Sequence, residues 1–139
     1  MPIWTEKRQA NASKIDACVA DLTVVRRVVV PEYIEHAEYK HYMFIRPEHL
    51  AQGWDRDRIV NTIVERGVPC FQGSCSEVYL EKAFDGTGLR PKERLKNAKE
   101  LGETSLMFLV HPTLKQQEVD LCCEALSSVM RQASKEINL

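Results

Sequence analysis

The chain of 139 residues has the length of a single domain. Its 19 basic and 20 acidic residues give a formal net charge of −1, and 44% of its residues are hydrophobic. These values are typical of a globular protein and exclude a disordered chain. The near-neutral charge also argues against non-specific nucleic-acid binding, which needs many cationic groups to neutralise phosphates. Because a chain of this length builds one core, a large two-domain cofactor enzyme does not fit into it whole.

The sequence predicts neither a membrane span nor an export signal. Its longest apolar runs, 28–30 and 106–110, are far shorter than the ~20 residues that cross a bilayer. The N-terminus lacks the apolar stretch of a signal peptide. The five cysteines are odd in number, which favours free thiols in a reducing cytoplasm. Three of them fall on the buried side of predicted helices: Cys18, Cys122 and Cys123.

A helix is predicted near the N-terminus because apolar residues recur there with helical spacing, at Ile15, Cys18, Val19 and Leu22. The preceding residues 6–11 are polar and offer little to a core. A helix of this kind either extends from its domain towards another part of the protein or frays at the N-terminus. The residues alone leave both alternatives open.

Two strands and a helix follow. Residues 24–30 are rich in valine and stop at Pro31, and residues 37–46 alternate between a mostly apolar face and a polar one. Such alternation is typical of a sheet with one buried side. Asp55 is the predicted N-cap of the helix, because its carboxylate can accept hydrogen bonds from the first turn. Gly67 is predicted to end this helix, because the residue after a helix often has a left-handed backbone conformation that glycine adopts easily.

The middle of the chain is predicted to hold a short strand, a loop and two helices. Residues 68–71 are extended, and residues 72–76 are mostly small, which is typical of a loop. Ser76 is predicted to cap a helix over residues 77–84. A further short helix is predicted to end at Gly102.

A central strand and a long helix are predicted last. Residues 104–110 are apolar on both alternating faces, which indicates a strand covered on both sides. Thr113 and Gln116 have the spacing of a capping box. The apolar stripe over residues 119–133 predicts an amphipathic helix packed on the sheet. All these elements fit one domain of helical and sheet layers.

The search for chemistry isolates one unusual loop. The four histidines are scattered and no Cys-x-x-Cys pair is present, so no metal site is predicted. Cys75 lies among small residues and could be a reactive thiol, but the spacing supplies no base for it. A loop built simply from small residues is therefore favoured. The Gly86-Thr87-Gly88 cluster lacks the pattern of a phosphate loop and is predicted to be a turn.

Four segments carry a family resemblance. They are a strand at Tyr39-Lys40-His41-Tyr42-Met43-Phe44, a helix from Asp55 to Gly67-Val68, the loop 69–79, and a strand ending in His111-Pro112-Thr113 before the last helix. Their order and spacing resemble the C-terminal small domain of the DegT/DnrJ/EryC1/StrS aminotransferases. These are pyridoxal-phosphate (PLP) enzymes that aminate nucleotide-linked keto-sugars in the synthesis of cell-surface polysaccharides or deoxyaminosugars.

The resemblance implies an α+β fold: a small, mostly antiparallel sheet packed with helices, as in the small domain of fold-type I PLP-dependent transferases. It implies one domain over residues 1–139, with 1–23 as the end of an interdomain connector helix and 24–139 as the small domain. The implied partners are the large PLP-binding domain of the same enzyme, a nucleotide-sugar substrate and, in the full enzyme, a second copy in a homodimer. Neither nucleic acid nor a membrane is an expected partner.

The resemblance also implies that the small domain covers the active site and contacts the sugar. Gln72, Ser74 and Cys75 are the residues expected to bind substrate, and their alternative role is to cap nearby backbone groups. No residue of this chain is expected to be catalytic, to bind the cofactor or to ligate a metal. His41 and His111 are expected to be structural.

The departures from the family bear on activity. The family's large domain supplies the lysine that forms the Schiff base, the acid that pairs with the pyridine nitrogen and the phosphate site, and nothing in this sequence corresponds to them. PLP is therefore expected in the full-length enzyme and not on this chain alone. Many members carry His-Tyr-Pro where this chain has Gly73-Ser74-Cys75, which leaves the sugar open. A free-standing α/β ligand-binding or regulatory module and a thiol enzyme using Cys75 remain as alternatives.

Overall fold

The computed structural model describes residues 2–135. Its elements are α1 (Pro2–Ala17), β1 (Val25–Arg27), β2 (His41–Ile45), α2 (Arg56–Glu65), β3 (Cys70–Phe71), α3 (Lys96–Thr104), β4 (Ser105–Phe108) and α4 (Gln116–Ala133). The strands form one sheet in the order β1-β2-β4-β3, and every neighbouring pair is antiparallel. The predicted α+β fold with a small antiparallel sheet is confirmed.

One face of the sheet forms the core. The register pairs His41 with Phe108 and Met43 with Leu106, so these four side chains lie on the same face. All four are buried. The helices α1, α2 and α4 cover this face with apolar side chains that include Ile15, Ile59, Ile63, Leu126 and Met130. Burying each such side chain contributes roughly 1.5–3 kcal/mol to folding.

Several local signals are confirmed. The Asp55 carboxylate accepts a 2.7 Å hydrogen bond from the backbone N–H of Arg58 and caps α2. Gly67 follows the end of that helix with a φ of +82°, a conformation that disfavours residues with a Cβ atom. All four residues of Ser105–Phe108 are buried, as expected for a strand covered on both sides.

The predicted helix over residues 77–84 is wrong. The chain instead makes two short 3₁₀ turns, Val78–Leu80 and Lys82–Phe84. The guanidinium of Arg90 donates hydrogen bonds to three successive backbone carbonyls in this stretch, those of Tyr79, Leu80 and Glu81. In a helix, these carbonyls would accept hydrogen bonds from backbone N–H groups four residues later. Here they accept hydrogen bonds from the Arg90 side chain, which lies outside the stretch.

The predicted capping box of Thr113 and Gln116 is also wrong. The Thr113 hydroxyl lies 2.7 Å from Nδ1 of His111, within the turn that follows β4. The box forms two residues later, where the Glu118 carboxylate accepts a 2.7 Å hydrogen bond from the backbone N–H of Lys115. Because the turn uses the Thr113 side chain, α4 begins at Gln116.

The helix α3 does not end at Gly102, as its sequence predicts, but continues to Thr104. Gly102 lies against the side chain of Ser76, because a Cβ atom on the glycine would overlap Oγ of that serine in its present rotamer. The glycine therefore marks a close contact between α3 and the loop after β3, where the sequence suggests a helix stop.

The polar first half of α1 is helical from Pro2 onward. Its Arg8 and Gln9 side chains donate 2.8 Å hydrogen bonds to the backbone carbonyls of Ala37 and His36. The polar half therefore contacts the segment that precedes β2. None of the helices within residues 2–135 is long and apolar enough to cross a membrane.

Candidate functional site

The loop 72–76 lies against the face of the sheet opposite the core. Ser105 donates a 2.5 Å hydrogen bond from its hydroxyl to the backbone carbonyl of Gln72. The hydroxyls of Tyr42 and Ser74 are 3.2 Å apart. Gly73, with a φ of +91°, lies between these two anchors. The loop is therefore held on the sheet by residues of both β2 and β4.

The three residues predicted to bind substrate have different surroundings. Ser74 lines a cavity of about 710 Å³ beside the sheet. The Gln72 amide donates a 2.8 Å hydrogen bond to the Asp57 carboxylate, and the Cys75 thiol lies 3.4 Å from the Glu81 carboxylate. Of the three, only Ser74 lines this cavity, while the other two are exposed beside it with carboxylate partners.

The cavity is formed by four parts of the chain: the end of α1, residues 28–40, β2 and the loop 72–76. Its wall combines aromatic rings with ionisable groups, which is a common composition for a small-molecule site. The lining includes Asp16, Glu38, Tyr39, His41, Tyr42 and Ser74. The sequence did not predict this grouping, because Asp16 and Ser74 are far apart in the chain.

A buried histidine lines the cavity between two carboxylates. The His41 side chain is 4% exposed, and its Nε2 is 2.9 Å from Oδ1 of Asp16. Its Nδ1 is 3.5 Å from Oε2 of Glu38. Burial lowers the pKa of His41, but the hydrogen bond and charge of Asp16, with a smaller effect of Glu38, raise the net pKa above 6.5. The alternation of β2, which places His41 on the buried face, was the one sequence signal for this cluster.

A second polar cluster holds the segment after the loop. Arg94 makes two hydrogen bonds to the Glu77 carboxylate, at 2.7 and 2.5 Å. The Tyr79 hydroxyl donates to the same carboxylate at 2.6 Å and accepts from the backbone N–H of Leu95. The bonds from Arg94 and then from Tyr79 lower the pKa of Glu77 to about 2. This network fixes the path of the chain after the loop 72–76.

The surroundings of Cys75 do not suit a nucleophile. Its hydrogen bond to the Glu81 carboxylate raises the pKa of the thiol. A catalytic thiol needs the opposite, a cationic or basic neighbour that favours the thiolate. Within residues 2–135, no group of three or more His, Cys, Asp or Glu side chains is arranged to hold a metal ion.

Solved structures share this architecture. The aminotransferase from Psychrobacter cryohalolentis is 47% identical, with a TM-score of 0.90 over 96% of this chain and 36% of its own. A second similar structure is PseC from Helicobacter pylori, an aminotransferase involved in the biosynthesis of pseudoaminic acid. It is 13% identical, with a TM-score of 0.78 over 94% of this chain and 34% of its own. Spr1654 from Streptococcus pneumoniae, solved in its PLP form, is 17% identical, with a TM-score of 0.73 over 94% and 32%. No curated protein matches the chain in sequence.

The sheet, its helices and the loop thus form a unit found within aminotransferases of known structure. The sequence profile of the DegT/DnrJ/EryC1/StrS aminotransferase family matches residues 1–127. The chain belongs to this family, as its sequence motifs predict. It spans about a third of the length of the solved relatives.

Proposed function

We propose that this chain is the small domain of a PLP-dependent aminotransferase that acts on nucleotide-linked keto-sugars, with residues 1–23, which include α1, as the end of the interdomain connector. The observation that carries the proposal is the match to the Psychrobacter aminotransferase, which combines 47% identity with a TM-score of 0.90. A match of this quality covers nearly the whole of this chain and about a third of the relative. The domain would therefore work together with a larger cofactor-binding part.

The residues of this chain do not fit covalent attachment of PLP. That attachment needs a lysine in an enclosed site together with groups that bind a phosphate. Every lysine within residues 2–135 is exposed except Lys40, which is half-buried. Lys40 lines the same cavity as Asp16 and Glu38, whose carboxylates would repel the cofactor phosphate. PLP would therefore be held by a part of the enzyme outside this chain.

The loop 72–76 would help to bind the sugar and to exclude water from the reaction. Gln72 and Ser74 each carry groups that can donate and accept hydrogen bonds with sugar hydroxyls, and Cys75 is an exposed thiol beside them. The anchors from Tyr42 and Ser105 keep the loop in place before substrate arrives, which lowers the entropy that ordering it would cost on binding. Held in this position over a bound sugar, the loop would exclude water from the reacting atoms.

A chimera tests this proposal. The matched third of the Psychrobacter aminotransferase is replaced by this chain, and the product is assayed for bound PLP by absorbance. Amino transfer from glutamate to nucleotide-linked keto-sugars is followed by mass spectrometry. We expect the chimera to bind PLP and to aminate such a sugar. A chimera that folds and binds PLP but aminates none of them would contradict the proposal.

Loop variants in the chimera test the substrate contacts. We expect Gln72→Ala and Ser74→Ala each to raise KM for the sugar by about twofold to tenfold, the loss of one hydrogen bond. Gln117→Ala and Ser13→Ala are matched controls, because both residues are exposed on helices outside the loop. Equal effects of loop and control variants would count against a role for the loop in sugar binding. Binding of a sugar nucleotide by this chain alone, with an inactive chimera, would favour the ligand-binding module instead.

A further inference from the structure

The His41 ring joins two parts of the chain that form one wall of the cavity. Asp16 at the end of α1 faces Nε2, and Glu38 in the segment before β2 faces Nδ1. Both carboxylates are largely covered, with exposed side-chain fractions of 24% and 15%. We call residues 36–40 the rim segment, because His36, Glu38, Tyr39 and Lys40 line the cavity.

A neutral imidazole cannot satisfy this arrangement. It carries one N–H, so one of its two nitrogens would present a lone pair to a carboxylate. The imidazolium form carries an N–H on each nitrogen, so it can donate to Asp16 while its charge attracts the Glu38 carboxylate at 3.5 Å. We propose that protonated His41 is a clasp that fastens the rim segment to α1, and that its deprotonation loosens this wall of the cavity.

The groups around the clasp support its dependence on a proton. From α1 the charged neighbour is Asp16, and from the rim segment the neighbours are Glu38, His36 and Lys40. The Nδ1 atom of His36 lies 2.9 Å from Oε1 of Glu38. On the neighbouring strand β4, the residue paired with His41 is Phe108, which is apolar and buried. Two anionic groups therefore contact the ring directly, and the apolar side excludes water that could replace them.

The rim segment has other ties that do not titrate near neutral pH. Arg8 and Gln9 hold the carbonyls of Ala37 and His36. Glu38 adopts a left-handed φ of +47°, which is unusual for a residue with a side chain and costs free energy. When the clasp releases Glu38, this backbone strain favours a local change at the rim, while the ties from Arg8 and Gln9 keep the segment attached. The expected opening is local.

The direction of the effect follows from the pKa of His41, which lies above 6.5 in the folded chain. A group whose pKa is raised by folding contributes stability below its unfolded pKa and loses it as pH rises through the folded pKa. The clasp is therefore complete below the unfolded pKa of histidine, about 6.5. It releases as pH rises through the higher pKa of His41 in the folded chain. It belongs to the fold itself and does not require the proposed aminotransfer.

Nuclear magnetic resonance of this chain, without any substrate, tests the clasp. The ring carbon–proton signal of His41 is followed from pH 5 to pH 9, with the urea-unfolded chain as the reference. We expect His41 to titrate at a higher pH in the folded chain than in the unfolded chain. Asp16→Asn should lower the His41 midpoint by about one pH unit, which is a tenfold change in proton affinity. Glu38→Gln should lower it in the same direction.

Amide hydrogen exchange measures the loosening of the wall. After correction for intrinsic exchange, we expect protection of residues 36–41 to fall about tenfold as pH crosses the His41 midpoint. Asp21→Asn is the matched control, because Asp21 follows α1 and pairs with Arg131 away from the ring. A His41 midpoint at or below its value in the unfolded chain, no response to Asp16→Asn in a folded variant, or unchanged protection across the midpoint would each overturn the proposal.

Discussion

Gly73 lies so close to Tyr42 that a Cβ atom on the glycine would be 2.9 Å from Cε1 of the tyrosine ring. Oγ of Ser105 would lie at 3.2 Å. The position also has a φ of +91°, which disfavours any residue with a side chain. Two independent constraints therefore select glycine at the centre of the loop 72–76.

We expect Gly73→Ala to reduce the free energy of unfolding by about 3 kcal/mol, the upper end for a strained position, because it adds a steric contact to the backbone strain. Urea denaturation measures the change. Gly86→Ala is the matched control, since its φ is +69° but a Cβ atom there meets nothing within 4 Å. It should cost only the strain of the left-handed backbone, about 1–2 kcal/mol. Equal losses for the two variants would show that Tyr42 does not confine the loop.

The Glu77–Arg94 pair predicts a dependence on acid. Arg94, followed by Tyr79, lowers the pKa of Glu77 from its ordinary 4.5 to about 2. A carboxyl group whose pKa is depressed by folding contributes stability above its unfolded pKa, and this contribution is lost as pH falls through the folded pKa. The pair should therefore weaken as the pH falls from about 4.5 to about 2.

Carbon-detected magnetic resonance of the Glu77 carboxyl checks this interval. We expect Arg94→Gln to return the Glu77 pKa towards 4.5. Arg131→Gln serves as the control, because its partner is Asp21 on another side of the domain. A Glu77 pKa that stays low in a folded Arg94→Gln variant would refute the assignment.

Cys75 offers a test of thiol reactivity. Because the Glu81 carboxylate raises the pKa of this thiol, we expect it to react with iodoacetamide more slowly at pH 7.5 than a free cysteine does. Glu81→Gln should speed its alkylation, whereas Glu100→Gln on α3 should leave the rate unchanged. Mass spectrometry gives the rate for each site. Alkylation of Cys75 that greatly exceeds the free-cysteine rate would restore the thiol-enzyme alternative.

The purified chain on its own should show no lasting PLP absorbance after desalting and should transfer no amino groups. The physical reason is that every lysine within residues 2–135 is exposed except the half-buried Lys40, so water can hydrolyse a Schiff base with PLP. Absorbance spectra before and after borohydride reduction, followed by peptide mapping, provide the measurement. Stable labelling of a single lysine would contradict the assignment of cofactor binding to another part of the enzyme.

The sequence predicts those elements whose signals are local. Asp55 and Gly67 define α2 because a cap and a left-handed stop depend on a few adjacent residues. The 77–84 stretch was predicted wrongly because Arg90, which lies beyond it, binds its carbonyls. No periodicity reveals a hydrogen bond of that kind.

The candidate site, too, could be predicted from the sequence only in part. The composition of residues 72–76 identifies the loop, and the family motifs suggest its role. The contacts of the loop with Tyr42 and Ser105 depend on the strand order and could not be foreseen. The approach of Asp16 to His41 depends on how α1 crosses the sheet, which the spacing of its apolar residues does not fix.

The three carbonyl hydrogen bonds of Arg90 have a consequence for proteolysis. The stretch between β3 and α3 has little regular secondary structure and contains arginine and lysine, so it is where trypsin would be expected to cut first. A protease must draw a segment into an extended form, and Arg90 is held at 2.9–3.0 Å from the carbonyls of residues 79–81. Because Arg90 is followed by Pro91, trypsin does not cut after Arg90 itself. The bond that these hydrogen bonds protect is the one after Lys82, since cutting there requires residues 79–82 in an extended form.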